Sequence, residues 1–327
     1  MAKTPASGTR IESIDSARGL TVLLMIFVNT VAPFTVIPAW SKHAPGFGFT
    51  YVDAIAPAFM FIMGLSLDIS FTRRLEAGAW PTVRHFLKRF ALLFLFGSLG
   101  TLLIYLTERG AIEWIIFQNL AIAGLAVLPF MFLRKGWIRS LLAMLAMLAY
   151  GAVEALALAP LLGSGSAIPD FARAVTYLFA QSIGLSTLVL FGAGVSKRIR
   201  EGRVLSTALP CGLALTIAGF ALWPSIPPYR GLANLSYLLL GLGFGNLNLA
   251  AFHCLHKVHP GEIPVLAAFG KNSLVMFMVS SVLYKLLYLF TPADSKPIAV
   301  ALGALGIELA CFILAEILRR RRIFIKL

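Results

Sequence analysis

Apolar residues run along this chain in blocks of about twenty, set apart by short polar stretches. A helix rises ~1.5 Å per residue, so ~20 apolar residues cross ~30 Å of hydrocarbon. Ten segments meet that length, roughly 19–39, 51–72, 86–106, 115–133, 140–161, 174–195, 204–224, 232–254, 265–290 and 298–318. The pattern predicts an all-α polytopic membrane helix bundle. The connections are too short to hold a separate soluble domain. Residues 1–9 read as a polar N-terminal tail and residues 10–327 as one transmembrane domain. The first apolar run starts after Arg18 and lacks a small-residue cleavage site, so it reads as a retained span.

Composition sharpens this picture. Of 327 residues, 59% are apolar and 13% charged, which excludes a soluble globular protein and a disordered one. The net charge of +14 would suggest nucleic acid in a soluble chain, but here its position explains it. With the N-terminus in the cytoplasm, twenty Lys and Arg fall in the tail, the even-numbered loops and the C-terminus. Only Lys42, Arg109, Arg173, Arg230 and Lys296 fall outside. That bias predicts ten spans with both termini cytoplasmic, and it calls for no nucleic-acid partner. Cys211, Cys254 and Cys311 lie in apolar stretches without a CxxC pair, so neither a disulfide framework nor a zinc site is indicated.

Ionisable and amide groups inside the spans are costly and normally face a cavity or a partner. Toward the outer face lie Asn29, His43, Asp53, Gln118, Asn119, Gln181, Ser182 and Lys285. Toward the inner face lie Arg10, Asp15, Arg18, Asp68, Asn246, Asn248, His253, Lys271 and Asn272. Both sets come from several helices, as in a bundle that encloses a polar path. His43 sits in a Pro/Gly loop, and a neutral imidazole can take a proton or attack an acyl carbon. Asp53 opens the second helix and could orient that ring; stabilisation by the helix dipole is the plainer role. Asn29, Gln118 and Gln181 could equally bridge helices. Arg10, Asp15 and Arg18 precede or open the first span. They read either as a helix start with an interfacial anchor or as a basic pocket for a phosphorylated ligand. Asp68, near Arg73 and Arg74, reads as part of a structural ion pair. His253, His256 and His259 share a helical face, but no carboxylate is spaced with them, so no metal is expected.

These residues carry a resemblance. Arg10, Asp15, Arg18 and Gly19, followed by a span ending in Phe27, Val28 and Asn29, resemble the opening of the transmembrane acyltransferase superfamily. His43 and Ala44, the run Gly48 to Asp53, Pro57, the run Phe59 to Gly64, and Ser66 resemble the heparan-alpha-glucosaminide N-acetyltransferase family. Gly270-Lys271-Asn272-Ser273-Leu274 is similar to a late Gly-x-Asn-Ser segment of that family, and Gln118 is a fainter match to one of its glutamines. The likeness covers roughly residues 10–74 and a patch near 270–278; between them only the pattern of spans is shared.

The resemblance implies an acyltransferase that takes an acetyl group from cytosolic acetyl-CoA and passes it to a sugar or amino sugar on the far side of a membrane. It implies His43 as the essential histidine, with Asn29 before the loop and Asp53 behind it. Arg10, Asp15, Arg18, Lys271 and Asn272 are the candidate donor-binding residues. Short outer loops argue against heparan itself as the acceptor. The expected partners are the lipid bilayer and a glycan acceptor, with self-association into a homo-oligomer left open, and the expected location is a bacterial inner membrane. A multi-pass permease for a small polar solute is the alternative, and paired broken helices in the two halves would mark it. A non-catalytic membrane scaffold is a third reading.

Overall fold

The computed structural model describes residues 11–107, 114–162, 169–321 and 323. Arg10 and the tail lie outside the described residues. The described chain is helical and crosses the bundle repeatedly: α1 (Glu12–Val31), α2 (Tyr51–Leu75), α3 (Ala79–Thr107), α4 (Ile116–Val127, continued as a 3₁₀ turn to Phe132) and α5 (Gly136–Leu162). There follow α6 (Asp170–Arg200), α7 (Val204–Leu222), α8 (Leu235–Val258), the short α9 (Pro264–Lys271), α10 (Ser273–Phe290) and α11 (Pro297–Arg320). Nine of these helices, among the described residues, are long and apolar enough to cross a membrane, and Ile116–Phe132 is a shorter apolar segment. The protein is a polytopic, multi-pass helical membrane bundle.

Burial separates the helices into two shells. In α1, α2, α6 and α8 between 61 and 78% of the most apolar window is buried, whereas α3, α5, α7, α10 and α11 bury 17–33%. The second group presents Leu, Ile and Phe outward, where lipid replaces protein as the apolar partner. Small residues let the inner helices touch backbone to backbone. A methyl group at Gly64 would overlap the Val189 carbonyl, and one at Gly192 would overlap the Phe61 carbonyl, so α2 and α6 approach too closely for any side chain there.

The first span differs from its sequence expectation of 19–39. It begins seven residues earlier, at Glu12, and stops at Val31. Ser13, Asp15 and Ser16 are buried within it, so polar residues that read as a cytoplasmic lead-in are interior helix positions. Pro33 and Pro38 stop the helix although the sequence there stays apolar, because proline withholds an N–H and rejects the preceding helical turn. The run 265–290 is likewise two helices, broken at Asn272, whose φ of −123° and ψ of 35° leave the helical region.

Asp68 finds different partners from those its neighbours in sequence suggested. It reaches across the bundle to Arg139 of α5 (2.6 Å) and Arg200 of α6 (3.0 Å), tying three helices together near one end. That end also holds the C-termini of α2, α6, α8 and α11 and is the basic end. At the opposite end three connections meet. Gly48 N–H donates to the Pro228 carbonyl (2.8 Å), and Thr35 N–H donates to the Ala293 carbonyl (2.8 Å).

Candidate active site

The connection between α1 and α2 builds the site. Gly46 and Gly48 take φ of +80° and +135°, conformations that a side chain would resist, and they fold residues 42–50 back over the N-terminus of α2. Phe47 forms an isolated antiparallel bridge with Tyr229 of the α7–α8 connection, and their rings lie 5.2 Å apart. Burial and the neighbouring Tyr177 hydroxyl push the Tyr229 phenol up to about 12. Lys42 Nζ donates to the Phe34 carbonyl (2.7 Å), and Thr50 Oγ1 donates to the Lys42 carbonyl (2.8 Å), pinning the loop at both ends.

Asp53, the third residue of α2, is wholly buried and collects the loop's donors. His43 Nδ1–H donates to Oδ1 at 2.7 Å. Oδ2 accepts from Ala44 N–H (3.1 Å) and Thr50 N–H (3.0 Å), and the Thr50 hydroxyl oxygen, whose proton goes to the Lys42 carbonyl, lies 3.2 Å away. The carboxylate thereby holds the imidazole in one orientation and one tautomer, with the proton on Nδ1 and the lone pair on Nε2. Nε2 has no hydrogen-bond partner among the described residues. The Arg230 guanidinium lies 3.9 Å from the same carboxylate.

His43, 35% exposed, lines a cavity of about 220 Å³ together with Asn29, Asn119, Gln181, Arg230 and Ser281, and with apolar Met25, Ile55, Phe117 and Phe277. Asn29 of α1 thus joins His43 in one chamber, with Asp53 directly behind the ring, and the three residues expected to act together are together. Gln118 is elsewhere. Its Nε2 donates to Thr101 Oγ1 (2.8 Å) and its Oε1 accepts from Ile115 N–H (3.1 Å), so it braces α4 against α3. The neighbouring Asn119 enters the chamber instead. Asn119 Nδ2 donates to Gln181 Oε1 (2.9 Å), and Gln181 Nε2 donates to the Arg230 carbonyl (2.8 Å), which fixes that wall.

A second cavity of about 50 Å³ lies nearer the basic end, lined by Arg18, Ser66, Arg89 and Ser273 among apolar Phe59, Met63, Phe90, Leu93, Leu120 and Leu274. Arg18 donates to the Gly270 carbonyl (2.7 Å), to Ser66 Oγ (3.1 Å) and to Asp15 (2.5 Å). Asp15 and Arg18 are therefore one ion pair inside α1. Arg89 carries a buried Nε with no hydrogen-bond partner among the described residues and has like-charged Arg18 and Arg74 nearby. An anion there would meet donors already stripped of water. Lys271 pairs with Glu262 outside this cavity, and Asn272 donates to the Ile323 carbonyl (3.2 Å) at the helix break. Arg89, Arg230, Asn119 and Gln181 line the cavities although the sequence did not single them out together. Arg89 had one signal, a position with Lys88 just inside the start of the third apolar run.

The polar path expected through the bundle is represented by these two separate cavities. Phe117 and Phe277, with ring centroids 5.1 Å apart, line the larger on the side toward the smaller, and Phe59, Leu120 and Leu274 line the smaller on the facing side.

Comparison with known proteins supports the resemblance read from the N-terminal residues. The family model described as heparan-alpha-glucosaminide N-acetyltransferase, catalytic, matches residues 10–165, which extends the likeness well beyond residue 74. The human protein named heparan-alpha-glucosaminide N-acetyltransferase is 40% identical over 70 residues, covering 21% of this chain and 10% of that protein. The mouse protein of the same name is 38% identical over 74 residues, covering 22% and 11%. The chain thus matches about a tenth of the length of these relatives.

Proposed function

We propose that the chain is a membrane acyltransferase. Acetyl-CoA is the donor, and an amino group or hydroxyl of an envelope sugar is the acceptor. The observation that carries this reading is the His43–Asp53 pair, a half-buried imidazole on a buried carboxylate, set in the wall of a chamber with Nε2 left for a substrate. Its location within the segment that matches the family's catalytic model supports the same reading.

The geometry suits two forms of the chemistry. In one, His43 Nε2 takes the proton of the acceptor's N–H or O–H as that atom attacks the acetyl carbonyl, and the CoA thiolate leaves. In the other, Nε2 itself attacks, the C–S bond breaks, and the acetyl-imidazole then passes its acetyl group to the acceptor. In both, Asp53 stabilises the positive charge that develops on the ring. The Asn29 amide, facing the same chamber, can donate to the oxyanion. Arg18 and Arg89 at the basic end suit the phosphates of the donor, which are too charged to cross lipid. The Lys/Arg bias supports a cytoplasmic basic end with the His43 chamber on the far face, in a bacterial inner membrane.

The test is incubation of membranes with radiolabelled acetyl-CoA, following label into glycan. His43→Ala should abolish incorporation while the protein remains inserted and folded. Transfer at the unaltered rate in that variant would remove the site.

A further inference from the structure

The two cavities stack along the same four helices. On α2 the larger chamber ends at Ala56 and the smaller begins at Phe59; on α10 the boundary falls between Phe277 and Leu274, on α4 between Asn119 and Leu120, and on α1 between Met25 and Arg18. Three residues of helix are ~4.5 Å and seven are ~10.5 Å, so one to two turns of helix separate the cavities. Phe117 and Phe277 are almost fully buried, and their rings pack at 44°.

The two aromatic residues stand on helices of different character. Phe117 belongs to α4, where Gln118 and Asn119 on either face are bonded to α3 and α6. Phe277 belongs to α10, the least buried of the long helices, which buries only Met276, Phe277 and Ser280. The segment before it is held firmly. Methyl groups at Gly19 and Gly270 would overlap the carbonyls of Leu266 and Asp15, so α9 and α1 lie backbone to backbone. Between fixed α9 and loosely packed α10 lies the break at Asn272. Such element-terminal breaks are where hinge motions concentrate. Arg18, which lines the smaller cavity, bonds the Gly270 carbonyl just before that break.

We propose that Phe117 and Phe277 form a septum between the two cavities, and that α10, hinged at Asn272, opens it to admit the donor's acyl-bearing arm to His43. This rests on the acyl-CoA reading above. Arg18 sits where an anion in the smaller cavity would compete with the Gly270 carbonyl, which couples donor arrival to the hinge. Phe117 and Phe277 are then positioning residues that set access and do not take part in the chemistry.

The test reads passage without requiring acetyl transfer. In the full chain carrying Cys211→Ala, Cys254→Ala and Cys311→Ala, Ala56→Cys puts one thiol in the His43 chamber on α2. The probe is the 2-pyridyl mixed disulfide of CoA. The thiolate attacks the CoA sulfur, the protein–CoA disulfide forms, and pyridine-2-thiolate leaves and is followed by absorbance. Methyl methanethiosulfonate, small enough to enter from the open end, reports that the thiol is reactive in each variant. Phe277→Ala and Phe117→Ala should each speed the CoA-disulfide reaction by about tenfold, the loss of one buried aromatic contact, while Phe277→Trp slows it. Rates within about twofold across all septum variants would overturn the septum while leaving the donor reading intact. Absence of CoA labelling in every variant, with normal reaction of the small reagent, would overturn the donor reading and the septum with it.

Discussion

Replacing Asp53 by Asn tests the site through a single change of charge. Two of the three donors around the carboxylate converge on Oδ2: Ala44 N–H and Thr50 N–H. The amide oxygen of Asn must take that place, because an NH₂ group there would face two backbone N–H groups. The amide nitrogen then takes the place of Oδ1, 2.7 Å from His43 Nδ1. Two N–H groups cannot share that contact, so the imidazole moves its proton to Nε2 and offers its lone pair to the amide. The chamber-facing nitrogen is then protonated and can neither accept a proton nor attack. A positioned general base contributes about 10²–10⁴ in rate, or about 3–5.5 kcal/mol at 1.4 kcal/mol per decade. Asp53→Asn should therefore lower kcat by about 10²–10⁴, with KM for acetyl-CoA within about threefold because the proposed phosphate site, at Arg18 and Arg89, is at the other end. Steady-state transfer of radiolabelled acetyl groups by purified protein measures both, and thermal unfolding in detergent shows that the variant folds. A folded Asp53→Asn protein with kcat within about threefold of the original would refute the assigned tautomer and with it the role of the pair.

Other substitutions test neighbouring parts of the argument. Asp68→Asn leaves buried Arg139 and part-exposed Arg200 without a counter-charge and should cost about 3 kcal/mol of stability, read from thermal unfolding, with little change in turnover per folded molecule. Arg89→Gln should raise KM for acetyl-CoA by about tenfold at constant kcat and weaken the salt dependence of donor binding, the pattern of a lost phosphate contact. Gly19→Ala should destabilise the protein by about 1–3 kcal/mol by forcing α1 away from α9, whereas Gly306→Ala, with open space around it, should change stability by less than about 0.5 kcal/mol; parallel melts compare them.

The spans were legible because lipid allows no substitute for a continuous apolar helix. Their ends were less so. A hydropathy reading assumes that polar residues face water, and in α1 that assumption fails. Ser13, Asp15 and Ser16 face the bundle interior, so the helix starts well before its apolar stretch. The break at Asn272 escaped notice for the opposite reason. No proline marks it, and the residues on both sides are apolar enough to read as one span.

The site was half legible, and the division follows distance along the chain. His43 and Asp53 lie ten residues apart across a glycine turn and a helix start, so local geometry joins them. Asn119 with Gln181, and Asp68 with Arg139 and Arg200, are joined only by how the helices pack, over separations of 62 to 132 residues. Least legible were Phe117 and Phe277, two of 25 phenylalanines. Counting polar residues at both ends of the bundle suggested a continuous path, yet the count carries no information about the middle. Four of the residues that fill the middle, Phe59, Phe117, Leu120 and Phe277, have the same composition as a lipid-facing stripe and differ only in facing inward. The proposed septum, when closed, leaves water no hydrogen-bonding partners between two polar chambers. A reaction that moves one acyl group across the bundle needs the septum open only while the donor's arm occupies it, and the arm itself then fills the opening.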